Sequence, residues 1–531
     1  MFGYILFRQA LAQVHRLCII NASHLLSLSL PVLVILMFLT ASPTHAQQNP
    51  AVVGQFSALY PWPSEAIHTH LLPNGNVLSW DEEAPNGNNY QQGTTLTYIV
   101  NIPPGGAPGA VTTAVDSHTL LFCSGHTFLT DGRLAVIGGQ DQGLDYGDKD
   151  TDFFDYRTNT WSSGPTMANG RWYGTATTLA NGEIMANAGW VTPGSNGWPV
   201  DNQVPEVTTG GKASWVELTG ATRGWGLYPR SFLAPNGDVI VVGPAPVTRY
   251  IDTSGAGTVI KVGRTIFGNR YAGSAVMYDV GKILIVGGAN PATNTAEILD
   301  LKASKPAWQS TGSMSYARQY LNATILADGT VLATGGSTGG RITSNVVLPS
   351  EIWNPATGLW TVVASLPHQR LYHSTATLLS DGRVLSAGGI TGAPGSKGIE
   401  TASVYKDAEI YSPPYLFNGP RPTITSAPQS VAYGESFIVT TPDAASIANV
   451  NWIRLSSTTH SFNMNQRLRH VRFTPTSDGS GLTVNAPLNP NTCPPGHYLM
   501  FILNGLGVPS VASIIHISST TESAPPKTPA G

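Results

Sequence analysis

The sequence predicts an all-β protein in which a seven-bladed β-propeller is followed by an immunoglobulin-like β-sandwich. One hairpin pattern recurs seven times between about residue 50 and about residue 415. The chain contains 57 glycines and 39 prolines among 531 residues, which without a collagen-like period indicates many short strands joined by turns. After Pro413-Pro414 the pattern changes to about 100 residues of shorter alternating runs, which are typical of a sandwich.

Each copy of the repeat is an alternating strand, a tight turn and an apolar strand that usually ends in Gly-Gly. Examples are HTFLTDGRLAVIGG from His126 and STATLLSDGRVLSAGG from Ser374. Asn-Gly or Asp-Gly between apolar runs indicates a hairpin, because both turn residues can adopt positive φ. Successive turn glycines are 44 to 57 residues apart, close to the period of kelch blades. These glycines are Gly75, Gly132, Gly182, Gly237, Gly281, Gly329 and Gly382. We therefore predict a kelch-type propeller.

The N-terminus has the features of a secretory signal. Arg8 and Arg16 precede an apolar run from Leu25 to Leu39, and small residues at Thr44 and Ala46 suit cleavage after Ala46. A retained membrane anchor is the alternative, but the run is short for a span. We expect no stable membrane span after removal of the signal, and an extracellular or periplasmic location. The expected domains are a signal (1–46), the propeller (47–418), the sandwich (419–518) and a disordered tail (519–531).

Charge and cysteine content narrow the function classes. Charged residues make up 11% of the chain and the formal net charge is −3, without a Lys/Arg run, so a nucleic-acid partner is not expected. Outside the signal there are two cysteines, Cys123 and Cys493. In a secreted protein such a pair ordinarily suggests one disulfide.

Three segments carry tyrosine and histidine where propeller strands begin, or in the sandwich. Tyr173 and His373 each lie nine residues before the turn glycine of their copy. Because equivalent positions in different blades face one axis, these side chains could converge there. Imidazole and phenol are N and O donors of the kind that copper(II) accepts. The third segment, around His460, belongs to the sandwich, and its sequence does not indicate whether it reaches the axis.

These segments resemble the galactose oxidase and glyoxal oxidase family of copper-radical oxidases over nearly the whole mature chain. The segments that carry the resemblance are FCSGHTFLTDGR, RWYGTATTLANG, LYHSTATLLSDGRV and STTHSFNMNQR. The resemblance implies a copper ion held by Tyr173, Tyr372, His373 and His460. It also implies a thioether bond between Cys123 and Tyr173, with a radical on the modified tyrosine.

The resemblance further implies the roles of the site residues. Tyr372 would act as general base towards the substrate hydroxyl, the Tyr173 radical would abstract a hydrogen atom, and dioxygen would be reduced to hydrogen peroxide. The expected substrate is a primary alcohol or a small aldehyde, and the protein is expected to be a monomer. Residues expected to line the substrate pocket are Trp190, Arg230, Tyr271 and Tyr320.

Two alternatives stay open at this point. A Cys123–Cys493 disulfide would prevent formation of the thioether. The protein could also be a non-catalytic secreted kelch module that binds glycans or cell-surface partners, since propellers serve binding as well as catalysis. Such a module would not need Cys123, the two tyrosines and the two histidines together. A hydrolase is less well supported, since no convincing cluster of Asp and Glu lies near the blade starts.

Overall fold

The computed structural model describes residues 49–82, 94–116, 118–141, 146–193, 199–392 and 403–518. The predicted signal and C-terminal tail lie outside these residues. Within the described ranges, no helix has the length and apolar character needed to cross a bilayer. One short α-helix, Pro50–Val53, precedes the sheets. The 3₁₀ turns are Thr219–Ala221, Thr343–Asn345, Pro414–Phe417 and Ala444–Ser446.

Seven antiparallel sheets correspond to the seven predicted repeats, and each repeat hairpin forms the two inner strands of one blade. Blade 1 contains His68–Leu71, Val77–Trp80, Thr95–Val100 and Val111–Asp116. Blade 2 contains Gly125–Phe128, Leu134–Ile137, Thr151–Asp155 and Thr160–Ser163. Blade 3 contains Thr175–Thr178, Ile184–Asn187, Glu206–Thr209 and Ser214–Glu217. Blade 4 contains Ser231–Leu233, Val239–Val241, Val247–Asp252 and Thr258–Arg264.

The remaining blades follow the same plan, and the last one is completed from the N-terminus. Blade 5 contains Ser274–Asp279, Lys282–Val286, Ala296–Asp300 and Trp308–Ser310. Blade 6 contains Asn322–Ile325, Val331–Thr334, Pro349–Asn354 and Leu359–Ser365. Blade 7 contains Thr375–Leu378, Val384–Ala387 and Asp407–Ser412, with Gln55–Phe56 and Tyr60–Pro61 as its outer edge.

The N-terminal strands therefore close the ring. Both pair antiparallel with Asp407–Ser412, so the first and last parts of the propeller share one sheet. This pairing satisfies the backbone groups that the outer edge of blade 7 would otherwise expose. Two small hairpins project from the blades: Trp190–Pro193 with Pro199–Asp201, and Ile390–Thr391 with Ser403–Val404.

In four blades a buried arginine–glutamate pair holds the segment that leads into the innermost strand. The arginine precedes that strand, and the glutamate lies on the third strand of the same blade. The pairs are Arg171–Glu206, Arg270–Glu297, Arg318–Glu351 and Arg370–Glu409. Each guanidinium also donates to backbone carbonyls, so the charge is both paired and hydrogen-bonded. These pairs hold in place the short segments that carry Tyr173, Tyr320 and Tyr372.

The C-terminal part is a sandwich of two sheets around its own apolar core. The larger sheet contains Ser430–Ala432, Ser513–Ser518, Gly496–Asn504, Ile447–Arg454 and Leu468–His470. The smaller sheet contains Ser436–Thr440, Gly481–Asn485 and Phe473–Pro475. Trp452, Tyr498 and Cys493 are buried between them. The predicted all-β architecture is confirmed.

A hairpin from the C-terminal part enters the ring of innermost strands. It consists of Ser457–Thr459 and Phe462–Asn463, and its first strand pairs with the innermost strand of blade 1. Thr459 lies opposite His68, so the next residue, His460, is carried to the end of the ring where the innermost strands begin. This pairing answers the question that the sequence left open about His460.

Candidate active site

Seven residues, one from each blade, occupy the same backbone position just before the innermost strand. Each lies nine residues before the turn glycine of its hairpin and has a positive φ between 42° and 69°. They are Ala66, Cys123, Tyr173, Tyr228, Ala272, Tyr320 and His373. A positive φ is uncommon for residues with a Cβ, and such strain concentrates at functional sites. Five of the seven positions carry a side chain that could take part in chemistry or binding.

The four residues predicted to bind metal meet at this end of the ring. The Tyr173 and Tyr372 hydroxyls are 2.8 Å apart. The ring centroid of His460 lies 5.2 Å from that of each tyrosine and 4.8 Å from that of His373. One ligand atom from each of Cys123, His373 and His460 can be chosen so that all three lie within 4.8 Å of one another. Side chains from blades 2, 3 and 7 and from the inserted hairpin thus surround one point.

The thiol of Cys123 lies beside the ring of Tyr173. Its sulfur is 3.4 Å from Nε2 of His460, and Tyr173 packs against the buried cluster that contains Cys123. The Tyr173 backbone N–H donates to the Cys123 carbonyl at 2.8 Å, so the two residues that a thioether would join are adjacent. Cys493 is a free thiol in the sandwich core, as Cys123 is in the propeller. The alternative disulfide is not formed.

Both imidazoles are fixed through Nδ1, which leaves Nε2 directed at the centre. His373 Nδ1 lies 3.1 Å from a carboxylate oxygen of Glu65, which accepts a hydrogen bond from the Nδ1–H group. The Thr459 hydroxyl donates to the Ile67 carbonyl, so His460 Nδ1–H donates to that hydroxyl at 2.6 Å. Nε2 of His373 is buried and has no hydrogen-bond partner. Hydrogen bonds of this kind orient histidine ligands in metal sites.

Burial sets the protonation of the site. It raises the pKa of the Cys123 thiol and of the Tyr173 and Tyr372 phenols well above their ordinary values. It lowers the pKa of His373 and His460 well below 6.5, with the Arg341 charge adding to the effect. At neutral pH both imidazoles are therefore neutral and can offer a lone pair, whereas the phenols keep their protons until a cation stabilises the phenolate.

A chain of buried histidines behind the site was not predicted from the sequence. His68 Nε2 accepts a hydrogen bond from the backbone N–H of Cys123, and His68 Nδ1 contacts His126 Nε2, both at 3.1 Å. His126 Nδ1 lies 2.6 Å from the Ser457 hydroxyl on the inserted hairpin. This chain connects the backbone of Cys123 to the hairpin that carries His460. The His-x-His spacing in HTHLL could have drawn attention to the inward face of this strand.

A pocket of about 360 Å³ opens over the two tyrosines and His460. All four residues predicted to line the substrate pocket lie in its wall: Trp190, Arg230, Tyr271 and Tyr320. The Trp190 ring packs edge-on against Tyr173, with 5.7 Å between centroids. The Arg230 guanidinium donates to the carbonyls of Tyr228 and Gly273, so it is held by the backbone.

Two further lining residues were missed. Arg341 places its guanidinium 3.6 Å from the centroid of the Tyr372 ring, a cation–π contact. It lies in the loop after the second strand of blade 6, where no sequence pattern indicates function. Tyr228 stacks on His460 with 4.8 Å between centroids. The nine-residue offset that links Tyr173 to His373 could have revealed it.

Two family models together match most of the chain, including Cys123, Tyr173, Tyr372, His373 and His460. Residues 110–415 match a model described as glyoxal oxidase N-terminus, and residues 421–517 match one described as galactose oxidase-like, early set domain.

The chain belongs to the galactose oxidase and glyoxal oxidase family.

Known members cover most of the chain. A galactose oxidase of Gibberella zeae is 30% identical over 484 residues, which span 84% of this chain and 68% of the relative. The aldehyde oxidase GLOX of Vitis pseudoreticulata is 28% identical over 435 residues, 75% of this chain and 82% of the relative. A solved fungal alcohol oxidase of the AA5 family, in complex with copper, is 26% identical with a TM-score of 0.77, and covers 88% of this chain and all of its own. The predicted family and the oxidoreductase class are confirmed.

Proposed function

We propose that this protein oxidises a small primary alcohol or aldehyde at a copper-radical centre and reduces dioxygen to hydrogen peroxide. The observation that carries the proposal is the meeting of two phenols, two imidazoles and one thiol at the end of the propeller ring. A binding module has no evident use for a free thiol beside a tyrosine whose hydroxyl touches a second tyrosine.

The donor set fits copper, the cofactor of this family. Nε2 of His373 is a buried acceptor without a partner, and Nε2 of His460 faces the same point. Tyr173 and Tyr372 add two oxygen donors, and N,O ligation suits copper(II). These four residues would hold the ion. When bound, copper would accept one of the two electrons that alcohol or aldehyde oxidation releases.

Tyr173 would accept the other electron. A thioether to Cys123 donates electron density into the ring and makes the phenol easier to oxidise. The Trp190 ring packs against Tyr173 and limits the access of water to it. In its radical form Tyr173 would abstract a hydrogen atom from the substrate carbon. The substrate is thereby oxidised by two electrons, and dioxygen takes up two electrons and two protons to give hydrogen peroxide.

Tyr372 would take the proton of the substrate hydroxyl. It borders the pocket, its hydroxyl contacts that of Tyr173, and burial raises the pKa of its phenol. A phenolate in this position is a strong base, which suits general-base catalysis on an alcohol or an aldehyde hydrate. The positive charge of Arg341 over its ring opposes the shift and helps to stabilise the deprotonated form.

We expect the pocket to favour small substrates that carry an anionic group. Its wall is largely aromatic, and Arg341 is the cation that remains available to a ligand, since the backbone holds Arg230. We expect small aldehydes, which react as their hydrates, to be oxidised more efficiently than galactose. Aldehydes that also carry a carboxylate, such as glyoxylic acid, should be the best substrates. Secretion remains part of the proposal, since residues 1–46 carry the signal pattern.

The test is a titration of the protein with copper, followed by oxidation and optical spectroscopy. The proposal predicts tyrosyl-radical absorption and peroxide formation with glyoxylic acid, methylglyoxal, benzyl alcohol or galactose. A non-catalytic module would show neither. Arg341→Met is expected to raise KM for glyoxylic acid about tenfold and to change KM for benzyl alcohol little. Equal effects on both substrates would contradict the role of Arg341.

A further inference from the structure

Blade 2 departs from the arginine–glutamate pattern of blades 3, 5, 6 and 7. In blades 3, 5, 6 and 7 the glutamate lies opposite the residue four positions after the turn glycine. In blade 2 that position belongs to Asp152, opposite Val136. The arginines lie eleven or twelve residues before the turn glycine, where blade 2 has Leu121 and Leu120. Blade 2 thus keeps the buried carboxylate but lacks the guanidinium that neutralises it.

A second carboxylate, that of Asp116, and the imidazole of His118 lie near Asp152 of blade 2. Asp116 ends the outer strand of blade 1, and His118 follows it. His118 Nδ1 lies 3.1 Å from Oδ1 of Asp116 and 3.6 Å from Oδ1 of Asp152. The Thr119 hydroxyl donates to the other oxygen of Asp152 at 2.7 Å, and the His118 N–H donates to Oδ1 of Asp116 at 2.8 Å. These contacts orient both carboxylates towards His118.

Each carboxylate keeps one oxygen that has no hydrogen-bond partner, although both side chains are almost completely buried. The side chains of Asp116 and Asp152 are 0% and 1% exposed, and the unpartnered atoms are Oδ2 and Oδ1, respectively. No lysine or arginine in the described ranges forms an ion pair with either of them. Two adjacent buried carboxylates without a basic partner are costly to ionise, so a bound cation would stabilise their charged forms.

The surroundings add to the negative charge. Asp141, Asp148 and Asp150 line an open cavity of about 460 Å³ together with His118. Lys149 also lines this cavity, and of Asp116, His118 and Asp152 only His118 borders it, so the side open to water lies next to His118.

We propose that Asp116, His118 and Asp152 bind a divalent transition-metal ion at the junction of blades 1 and 2. One ligand atom from each can be chosen so that all three lie within 4.8 Å of one another, slightly more than the ~4.2 Å that two bonds of about 2.1 Å span, so binding requires a small closing movement of the side chains. Two carboxylates and one imidazole, with an open side for water, are a ligand set that Zn²⁺ and Mn²⁺ accept. The site is separate from the centre formed by the tyrosines.

Such an ion would fix the segment that leads to Cys123. Asp116 and Cys123 are seven residues apart, and Thr119 in between is already bonded to Asp152. The ion would link the last strand of blade 1 to the third strand of blade 2 across this segment. Its expected role is structural, since the cavity shares no residue with the substrate pocket.

The test uses the copper-loaded protein, so that the central site is filled, with Zn²⁺ as the probe. Elemental analysis after dialysis should find one zinc per chain in addition to copper, and calorimetry should show one binding event. His118→Ala should weaken zinc binding at least tenfold. This imidazole is 36% exposed, so the variant should fold. Asp478→Asn, which changes an exposed carboxylate of the sandwich, is the control, and its zinc affinity should stay within twofold of the parent.

The proposal is overturned if the copper-loaded protein binds no additional zinc, or if His118→Ala binds it as tightly as the parent. Zinc should also raise the melting temperature of the parent and of Asp478→Asn but not that of His118→Ala, because a ligand that binds only the folded state stabilises it. A zinc-dependent shift of equal size in His118→Ala would likewise contradict the assignment.

Discussion

The orientation of His373 depends on the carboxylate of Glu65, which lies just before the innermost strand of blade 1. Glu65 accepts the Nδ1–H hydrogen bond, and this leaves Nε2 as a bare acceptor at the centre. We predict that Glu65→Gln lowers copper affinity about tenfold, because a neutral amide orients the imidazole less strongly and makes it a weaker base. Competition with a chelator measures the affinity. The exposed Glu435→Gln variant is the control, and unchanged affinity in Glu65→Gln would contradict this role.

His497 in the sandwich illustrates a residue whose burial costs stability in acid. Its Nδ1 is buried without a partner, and burial together with neighbouring His516 lowers its pKa to about 3. Below the ordinary value of about 6.5 the unfolded chain binds a proton that the folded chain cannot bind, so stability falls as pH falls. The loss is about 1.4 kcal/mol per pH unit, or about 2 kcal/mol from pH 6.5 to pH 5.

We therefore predict that His497→Gln reduces the acid sensitivity of folding. Urea unfolding at pH 7 and pH 5 should show a loss about 2 kcal/mol smaller in the variant than in the parent. The histidines distant from His497 are common to both proteins, so their contributions cancel in the difference. Parallel pH dependence in the two proteins would show that His497 is not buried as described.

Among the structural elements, the buried arginine–glutamate pairs hold the third strand of a blade to the segment just before its innermost strand. Arg318 and Glu351 are both 0% exposed, and the carboxylate also accepts backbone N–H groups of Ser315 and Tyr316. Glu351→Gln leaves an uncompensated buried charge and should cost about 3–5 kcal/mol of the free energy of unfolding. Lys282→Ala, which removes a half-exposed pair with Asp279, should cost less than about 1 kcal/mol. Similar losses in chemical denaturation of both variants would contradict this difference.

The elements that the sequence predicts best are those with local signals. Each Asn-Gly or Asp-Gly turn forms the inner hairpin of a blade, and even the irregular Val280-Gly281 turn does so. The outer edge of blade 7 has no such signal, because its partners lie more than 340 residues apart. The inserted hairpin is similar, since its first strand is held by pairing with blade 1 rather than by its own composition.

In the whole molecule, the candidate site likewise combines residues placed by the repeat with residues placed by long-range pairing. The repeat register was enough to predict that Tyr173 and His373 face a common axis, and the same register covers Cys123, Tyr228 and Tyr320. The approach of His460 and the cation over Tyr372 depend on tertiary pairing and on a loop. Sequence periodicity carries no information about either, so the resemblance alone predicted His460 and nothing predicted Arg341.

The molecule as a whole brings these groups together by three independent devices. Blade repetition places the phenols and the thiol, N-terminal strands close the ring, and a hairpin from the sandwich supplies the last imidazole. The Cys123 backbone is tied to that hairpin through His68 and His126. The hairpin that supplies His460 thus also contributes to the placement of Cys123, which is hydrogen-bonded directly to Tyr173 through the backbone.

Peptide mapping of the copper-treated, aerated protein by mass spectrometry tests this account most directly. We predict one cross-linked pair of peptides that joins Cys123 to Tyr173, resists reduction, and contains two hydrogen atoms fewer than the separate peptides. Cys123→Ser should yield only linear peptides. If the parent protein instead yields an unmodified Tyr173 peptide with Cys123 as a free thiol or in a disulfide with Cys493, the proposed copper-radical centre is wrong.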